Sequence, residues 1–244
     1  MTIISLEGAS AVGKTTTAKA LCTEFDAYRV PEVNTLFDTL EEDATTWYFE
    51  RQCDRWQLAV DRETDHELVI LDGDVFQPIW YNWIAHHQTN THATIDEFAP
   101  LDSICRFYRE KLKEKSVGFP DRYFLLTATD ETLRRRKRND ETRIRRNFEY
   151  HLQCITPQKM FFEKLHKLLP EIVRFLDAQC LSTNRSKIAA QLPREDCVDR
   201  YSIERLDALA EWVSETVPSL SYECIVEGRS NTDASGQRHV GNNE

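Results

Sequence analysis

The stretch SLEGASAVGKTTTAKAL (Ser5–Leu21) decides the fold, because it sets two glycines five residues apart and follows them with a lysine and three threonines. Glycine is scarce in this chain, with 7 in 244 residues. The spacing Gly8-x-x-x-x-Gly13-Lys14-Thr15 matches a loop that curls around a polyphosphate and points backbone N–H groups inward. The glycines permit backbone angles and a close approach that a Cβ would obstruct. The stretch therefore predicts a strand, a phosphate-binding loop and a helix.

The loop and the first turn of the helix form a predicted site for ATP. Lys14 is placed to reach the β- and γ-phosphates, and Thr15 offers a hydroxyl ligand to Mg²⁺. The helix adds the positive end of its dipole. A tight strand-to-helix turn without a ligand is the alternative interpretation. The predicted nucleotide-binding residues are Gly8, Ala9, Ser10, Ala11, Val12, Gly13, Lys14, Thr15 and Thr16.

Length and composition narrow the classes of protein. A chain of 244 residues suits one α/β domain with elaborations, or at most two small domains. The formal net charge of −10 argues against general binding to nucleic acid or to anionic membranes. The seven scattered cysteines and the absence of a leader-like start predict a cytoplasmic protein with reduced thiols. No apolar run approaches the ~18 residues that span a membrane.

Short apolar stretches alternate with helical patterns throughout the chain. This alternation predicts an α/β protein with a five-stranded parallel sheet and helices on both faces, in three layers. Ligands of such sheets bind at the carboxyl ends of the strands. The predicted strands are 2–7, 27–30, 67–74, 122–128 and 172–178. The predicted helices include 14–25, 34–65, one from 78, 95–115, one capped by Thr129, one from 157, 186–192 and 202–216.

Three acids follow the second and third predicted strands. Asp72 ends an apolar strand, which predicts a magnesium ligand. Gly73 lets the chain turn, so that Asp74 lies nearby and would serve in substrate binding or catalysis. Glu32, Asp72 or Asp74 would act as the general base that takes a proton from an attacking hydroxyl. Asp-Gly-Asp also suits an ordinary turn, and Glu32 also suits a helix N-terminus, so these alternatives stay open.

The segment LRRRKRNDETRIRR (Leu133–Arg146) concentrates eight cations in an acidic protein. A helix, a break and a second helix predict an arginine-rich lid, at about 134–150, that closes over the phosphates, excludes water and stabilises transferred charge. Neighbouring helical side chains point about 100° apart, so only some arginines face the site. A solvated charged surface is the other interpretation. The candidates are Arg134 and Arg138 on one face and Arg143 and Arg146 on another, with Arg135 as an alternative.

Aromatic and polar side chains are concentrated between the second and fourth predicted strands. Aromatic side chains could stack on the flat base or ring of an acceptor, and arginine and glutamine side chains could hydrogen-bond to its polar groups. The same spacing is typical of a helix packed into a core, so both interpretations are kept. The residues are Phe37, Trp47, Tyr48, Arg51, Arg55, Trp56, Phe76, Gln77, Trp80, Tyr81, Asn82 and Trp83.

The loop, the acids after strands two and three, and the arginine-rich segment resemble the nucleoside and nucleoside-monophosphate kinases of the P-loop class, over about 1–192. Thymidylate kinases and deoxyribonucleoside kinases are nearest in layout. The resemblance implies ATP with Mg²⁺ as donor and a small phosphoryl acceptor. Deoxyribonucleoside kinases usually have Glu-Pro and an acid–arginine pair where this chain has Pro31-Glu32 and Asp72-Gly73-Asp74, so the acceptor is left open. Chloramphenicol phosphotransferases are also similar.

The chain is expected to divide into a kinase-like domain (1–194), a helical extension (195–228) and a tail (229–244) that lacks apolar spacing and is therefore predicted to be disordered. The leading hypothesis is an ATP-dependent small-molecule kinase, with a homodimer among the open oligomeric states. A nucleic-acid end kinase or repair factor is a second hypothesis, which the overall acidity disfavours. A non-catalytic ATP-binding switch is a third, and it would bind ATP without acceptor-dependent turnover.

Overall fold

One parallel sheet organises the chain. The structure is a computed structural model that describes residues 1–38, 46–87, 100–140, 147–178, 180–193 and 199–217. Within these ranges the strands are β1 (Thr2–Gly8), β2 (Ala27–Val30), β3 (Leu68–Asp72), β4 (Arg122–Thr127) and β5 (Val173–Asp177). All pair in parallel, in the spatial order β2-β3-β1-β4-β5. The loop after the central strand β1 therefore lies at the middle of the carboxyl edge.

Helices fill the connections between the strands and cover both faces of the sheet, which confirms the predicted fold class. The described helices are α1 (Lys14–Glu24), α2 (Val33–Leu36), α3 (Trp47–Arg62), α4 (Gln77–His87), α5 (Leu101–Lys113), α6 (Asp130–Arg138), α7 (Phe148–Gln153), α8 (Ile155–Leu168), α9 (Leu181–Ala189) and α10 (Ile203–Thr216). None of them is long and apolar enough to cross a membrane.

Alternate side chains of the strands enter two separate cores. Ile3 and Val69 point to one face, where α3, α4, α5, α8 and α10 cover them. Ile4 and Ile70 point to the other face, where α1 and α9 cover them. Successive strand residues point to opposite faces, and both sets are apolar because neither face meets water. This is why the strands read as continuous apolar runs in the sequence.

Some predicted boundaries differ from the structure. The predicted helix 34–65 is two helices, because Phe37 after α2 has an extended backbone; residues 39–45 lie outside the described ranges. Helix α9 begins five residues before the predicted 186, directly after the extended Cys180. The start of the predicted helix 95–115 is not among the described residues, and α5 follows Pro100. The predicted cap is confirmed: Thr129 Oγ1 accepts a hydrogen bond from the N–H of Thr132 at 3.2 Å.

Helix α10 packs into the larger core. Its Trp212 ring lies 5.0 Å from the Trp83 ring of α4, measured between centroids. Trp83 Nε1 also donates to Thr216 Oγ1 at 2.8 Å. Part of the predicted extension 195–228 therefore covers the sheet directly. The predicted disordered tail, 229–244, lies outside the described residues.

Candidate active site

The loop between β1 and α1 has the backbone that its glycines predict. Gly8 and Gly13 have φ angles of +133° and +106°, and Ala11 between them has a φ of +68°. The N–H of Val12 donates to the Ala9 carbonyl at 3.2 Å, which closes a turn within the loop. Gly13 directly precedes α1, so the loop ends at the N-terminus of a helix. Such a backbone turns successive N–H groups toward one anion-sized space.

Gly8 is required for space as well as for its backbone angle. A Cβ at Gly8 would lie 2.3 Å from the Leu126 carbonyl oxygen of the neighbouring strand, whereas a Cβ at Gly13 would meet nothing within 4 Å. We expect Gly8→Ala to lower the free energy of unfolding by about 3 kcal/mol and Gly13→Ala by about 1 kcal/mol, the cost of strain alone. Urea denaturation of both variants measures the difference. Equal losses would contradict the close approach of β4.

Lys14 lies across the loop. Its Nζ donates to the Gly8 carbonyl oxygen at 2.7 Å, so the side chain folds back over the loop backbone. Thr15 and Thr16, which follow in the first turn of α1, line a cleft next to the loop. The ammonium group and the N-terminus of α1 both place positive charge at the loop.

The cleft has a volume of about 570 Å³ and opens between α1, the end of α6 and the start of α9. The guanidinium of Arg136 closes one side, because it donates to the carbonyls of Val12 at 2.8 Å and Ala178 at 2.7 Å. Asn184 is buried in another wall, and its Oδ1 has no hydrogen-bond partner in the part of the chain described. The lining residues are Ala11, Val12, Gly13, Thr15, Thr16, Thr17, Lys19, Arg136, Asn139, Asp140, Cys180, Leu181 and Asn184.

Asp72 is buried at the end of β3, and its two carboxylate oxygens differ. Oδ2 accepts from Arg29 Nη1 at 2.9 Å, whereas Oδ1 is buried without a partner among the described residues. No cluster of three or more His, Cys, Asp or Glu that could hold a metal occurs in the described ranges. An orphaned carboxylate oxygen without a protein cage fits Mg²⁺, which binds through one or two protein ligands together with phosphates and water.

Three carboxylates gather around Gly73, which has a φ of +94°. A Cβ at Gly73 would lie 3.7 Å from Glu7 Oε1 and 3.9 Å from Glu32 Cγ. Glu7 Oε1 accepts from the N–H of Asp74, and Glu7 Oε2 accepts from Gln158 Nε2 at 3.1 Å. The carboxyl ends of β1, β2 and β3 thus bring Glu7, Glu32 and Asp74 to one place.

These carboxyl groups differ in their electrostatics. Burial raises the pKa of Asp74 to about 8, with the nearby charge of Glu7 as a second cause, and Asp74 Oδ1 accepts from the Tyr123 hydroxyl at 3.1 Å. Burial also raises the pKa of Glu7, although the charge of Lys14 opposes this. Glu32 is only half-buried, and its carboxylate accepts no hydrogen bond from the residues that are described. Asp74 is therefore mostly protonated at neutral pH.

His151 of α7 is close enough to Lys14 and Glu32 to be affected by their charges. Burial, followed by the charge of Lys14, lowers the pKa of its imidazole, while Glu32 acts in the opposite direction. The ring is therefore mostly neutral at pH 7.

Arg55 of α3 holds the two acid-bearing turns together. The side chain is buried, and it donates to the carbonyls of Pro31 at 2.7 Å, Asp72 at 3.0 Å and Gly73 at 2.9 Å. A further bond, 2.5 Å long, goes to Gln52 Oε1. Arg55 is one of the predicted acceptor-side residues, and its hydrogen bonds within the described ranges go to backbone carbonyls and to Gln52.

We expect Arg55→Ala to lower the free energy of unfolding by about 3 kcal/mol, since three buried carbonyls lose their donor. Arg51→Ala is a matched control on the same helix, because its half-exposed ion pair with Asp54 contributes about 1 kcal/mol or less. Urea denaturation compares the two variants. A loss at Arg55 no larger than that at Arg51 would mean that the turns hold their places without it.

The arginines predicted for a lid lie in different surroundings. Arg134 pairs with Asp130 at 3.0 Å and with Glu149 at 2.8 Å, and its side chain is 41% exposed. Arg138 is exposed at the last residue of α6. Arg143 and Arg146 lie outside the described residues. The lid stays a prediction.

Most of the predicted acceptor-side aromatics belong to the larger core. Trp56 and Trp83 are fully buried, and Phe76 stacks on Phe119 with ring centroids 4.6 Å apart. Tyr48 is polar at its tip, where its hydroxyl donates to Gln77 Oε1 at 2.9 Å. The core interpretation therefore accounts for Trp56, Trp80 and Trp83, whereas Trp47 is only half-buried.

Glu7, Gln158 and Arg136 are not among the site residues that the sequence predicts. Glu7 had a signal, because a carboxylate at the end of a buried apolar strand needs polar partners. Arg136 had one too: Leu133 is the buried residue of α6, and Arg136 lies one turn further on the same face. Gln158 had none, since only tertiary packing brings α8 to the end of β1.

The comparisons with known proteins support the fold. No protein-family model and no curated protein matches the sequence. The chain is similar to the solved structure of deoxyadenosine kinase from M.mycoides with bound dATP, at 15% identity, a TM-score of 0.50, and coverage of 78% of this chain and 98% of that chain. Thymidylate kinase from Candida albicans matches at 17% identity, a TM-score of 0.49, and coverage of 78% and 89%. The dATP complex shows that this chain has the fold of the P-loop nucleoside kinases, which confirms the resemblance at the level of the fold.

Proposed function

We propose that this protein is an ATP-dependent phosphotransferase that moves the γ-phosphate of ATP to a hydroxyl or phosphate of a nucleoside, nucleotide or similar small molecule. One observation carries the proposal: a glycine-shaped loop with Lys14 across it lies next to a cluster of acids that includes the half-exposed Glu32. The loop suits the donor's phosphates, and the acids suit an acceptor. A loop that only bound phosphate would not need a cluster of acids beside it.

The donor nucleotide would lie with its phosphates in the loop and its base in the cleft beside α9. On binding, the Lys14 ammonium would exchange its bond with the Gly8 carbonyl for the β- and γ-phosphates. Thr15 and Thr16 stand at the N-terminus of α1, where a helix dipole favours anions. The unpartnered Oδ1 of Asn184 offers an acceptor to an amino group on the base, which adenine has.

Mg²⁺ would be held by the Thr15 hydroxyl and by Asp72 through its unpartnered oxygen. When bound, the ion would neutralise charge on the β- and γ-phosphates. Arg29 keeps the other oxygen of Asp72 in place, so the carboxylate presents one free oxygen and not two.

Glu32 is the best candidate for the general base. The task needs an ionised carboxylate that a hydroxyl can approach. Asp72 is buried against Arg29, and Asp74 is buried and mostly protonated. Asp74 is better suited to positioning the acceptor, since a protonated carboxyl can donate a hydrogen bond, and Glu7 holds the turn that carries it by accepting from the N–H of Asp74.

The segment 134–150 would serve as the lid, with Arg134, Arg138, Arg143 and Arg146 as the candidate arginines. Arg136 of α6 donates hydrogen bonds to the loop and to the turn after β5. A movement of α6 would therefore change the wall of the donor cleft. Closure would exclude water, which competes with the acceptor for the γ-phosphate.

The experiment is an ADP-release assay with Mg²⁺-ATP and a panel of acceptors. Deoxynucleosides and thymidylate lead the panel because the similar structures are those of a deoxyadenosine kinase and a thymidylate kinase. Ribonucleosides, other nucleoside monophosphates and hydroxylated antibiotics follow. A DNA oligonucleotide with a 5′-hydroxyl tests whether the protein is a nucleic-acid end kinase. A reaction without acceptor tests whether it is an ATP-binding switch that does not transfer phosphate. Acceptor-dependent ADP release supports the proposal; turnover independent of every acceptor contradicts it.

A further inference from the structure

Cys180 lies at the mouth of the donor cleft. It directly precedes α9, its side chain is exposed, and it lines the cleft opposite the phosphate-binding loop. The charged groups that line the same cleft are Lys19 of α1, Arg136 of α6 and Asp140 just after α6. A group attached to the sulfur would therefore enter the space proposed for the nucleotide.

Asn184, one turn further along α9, indicates independently that this wall is built to meet a ligand. It is 4% exposed and lines the same cleft, yet its Oδ1 has no hydrogen-bond partner among the described residues. Buried polar atoms are almost always paired, and an unpaired one needs an explanation. A ligand that covers Asn184 would lie next to the Cys180 sulfur.

The surroundings of Cys180 favour its thiolate. The sulfur lies 3.0 Å from Thr183 Oγ1 and 3.3 Å from Ser182 Oγ, at the N-terminus of a helix. Hydrogen bonds from these two hydroxyls, Ser182 first, lower the pKa of the thiol to about 7. The nucleophile in thiol chemistry is the thiolate, and helix N-termini favour it.

The other described cysteines lack these surroundings. Burial raises the pKa of Cys53 and Cys105 to about 12 and that of Cys154 to about 11. Burial also raises the pKa of the half-buried Cys22. Cys180 is thus the exposed, acidic thiol of the described residues.

We propose that Cys180 is a modification site that reacts with the disulfide of a small thiol, and that the resulting mixed disulfide blocks the donor nucleotide. The Cys180 thiolate attacks one sulfur of the small disulfide, and a new S–S bond forms as the original S–S bond breaks. The second half leaves as a thiolate and takes a proton from water; Cys180 is oxidised and the small disulfide is reduced. The blocking step rests on the proposed function, because it requires the cleft to hold the nucleotide.

The test treats the full chain with oxidised glutathione and locates the adducts by peptide mass spectrometry. At pH 7 Cys180 should react about tenfold faster than Cys22, because its larger thiolate fraction outweighs its lower intrinsic nucleophilicity. The rate should rise with pH and level off above about pH 8, since the thiol titrates near 7. Mg²⁺-ATP should slow the reaction. Variants Cys197→Ser and Cys224→Ser control for the two thiols outside the described residues.

Nucleotide binding is then measured with a fluorescent ATP analogue before and after treatment. Treated protein should lose binding and regain it with dithiothreitol, and binding by Cys180→Ser should not change on treatment. Reaction of Cys180 no faster than that of Cys22, or a mixed disulfide that leaves binding intact, overturns the proposal. If untreated protein binds no nucleotide, the proposed function fails, and with it the blocking step, while fast labelling of Cys180 would still identify the reactive thiol.

Discussion

Replacing Lys14 by alanine is expected to lower ATP-dependent phosphoryl transfer by about 10³-fold. The ammonium group already lies over the loop, 2.7 Å from the Gly8 carbonyl oxygen, where the β- and γ-phosphates would lie. In the proposed reaction charge would develop there in the transition state, and Lys19, the lysine that lines the donor cleft, lies more than one turn further along α1. The measurement is kcat/KM in the ADP-release assay with the best acceptor from the panel.

Lys159→Ala is the matched control, since it removes an exposed lysine of α8 that pairs with Glu163 at 3.6 Å. Thermal denaturation checks that both variants fold. If Lys14→Ala transferred the phosphoryl group as fast as Lys159→Ala, the loop would have no role in the reaction. ATP binding without transfer in the unmodified protein would instead favour the switch hypothesis.

Glu32→Gln is expected to lower kcat by about 10²- to 10⁴-fold while leaving the KM for ATP nearly unchanged. The amide keeps the size of the side chain and removes its basicity. Glu32 makes no hydrogen bond through its carboxylate to the described residues, so the substitution leaves no partner unsatisfied. A loss in kcat alone is what a base acting on the acceptor requires.

Asp72→Asn and Asp74→Asn test whether either aspartate, and not Glu32, is the general base. The first should raise the Mg²⁺ concentration needed for half-maximal activity, because it weakens a metal ligand. The second should raise the KM of the acceptor more than it lowers kcat. If Asp74→Asn abolished turnover while Glu32→Gln retained it, the roles assigned here would be reversed.

Local chemistry made part of this protein predictable. Gly8 and Gly13, followed by Lys14, indicate a phosphate-binding loop. Such a loop requires positive φ angles at these positions, which residues other than glycine rarely adopt. The five strands could be found since both faces of the sheet are covered, which makes each strand an apolar run. Thr129 was recognisable as a cap because capping depends on its immediate neighbours.

The state of each acid could not be predicted in this way. Asp72, Asp74 and Glu32 are alike as residues that follow strands, and the sequence ranks none of them as the base. Tertiary structure pairs Asp72 with Arg29, buries Asp74 beside Glu7, and leaves Glu32 half-exposed. Burial and charge depend on residues distant in sequence, and these terms set ionisation.

The sequence by itself therefore determined the fold class, the loop and the edge of the sheet where chemistry can occur, because each depends on short-range backbone preference or on apolar periodicity. Only the tertiary structure decided which side chains meet there. Arg55 joins turns from two strands, and Arg136 joins α6 to the loop. The physical reason is range: hydrogen bonds and burial between distant segments exist only once the sheet has brought its strand ends together.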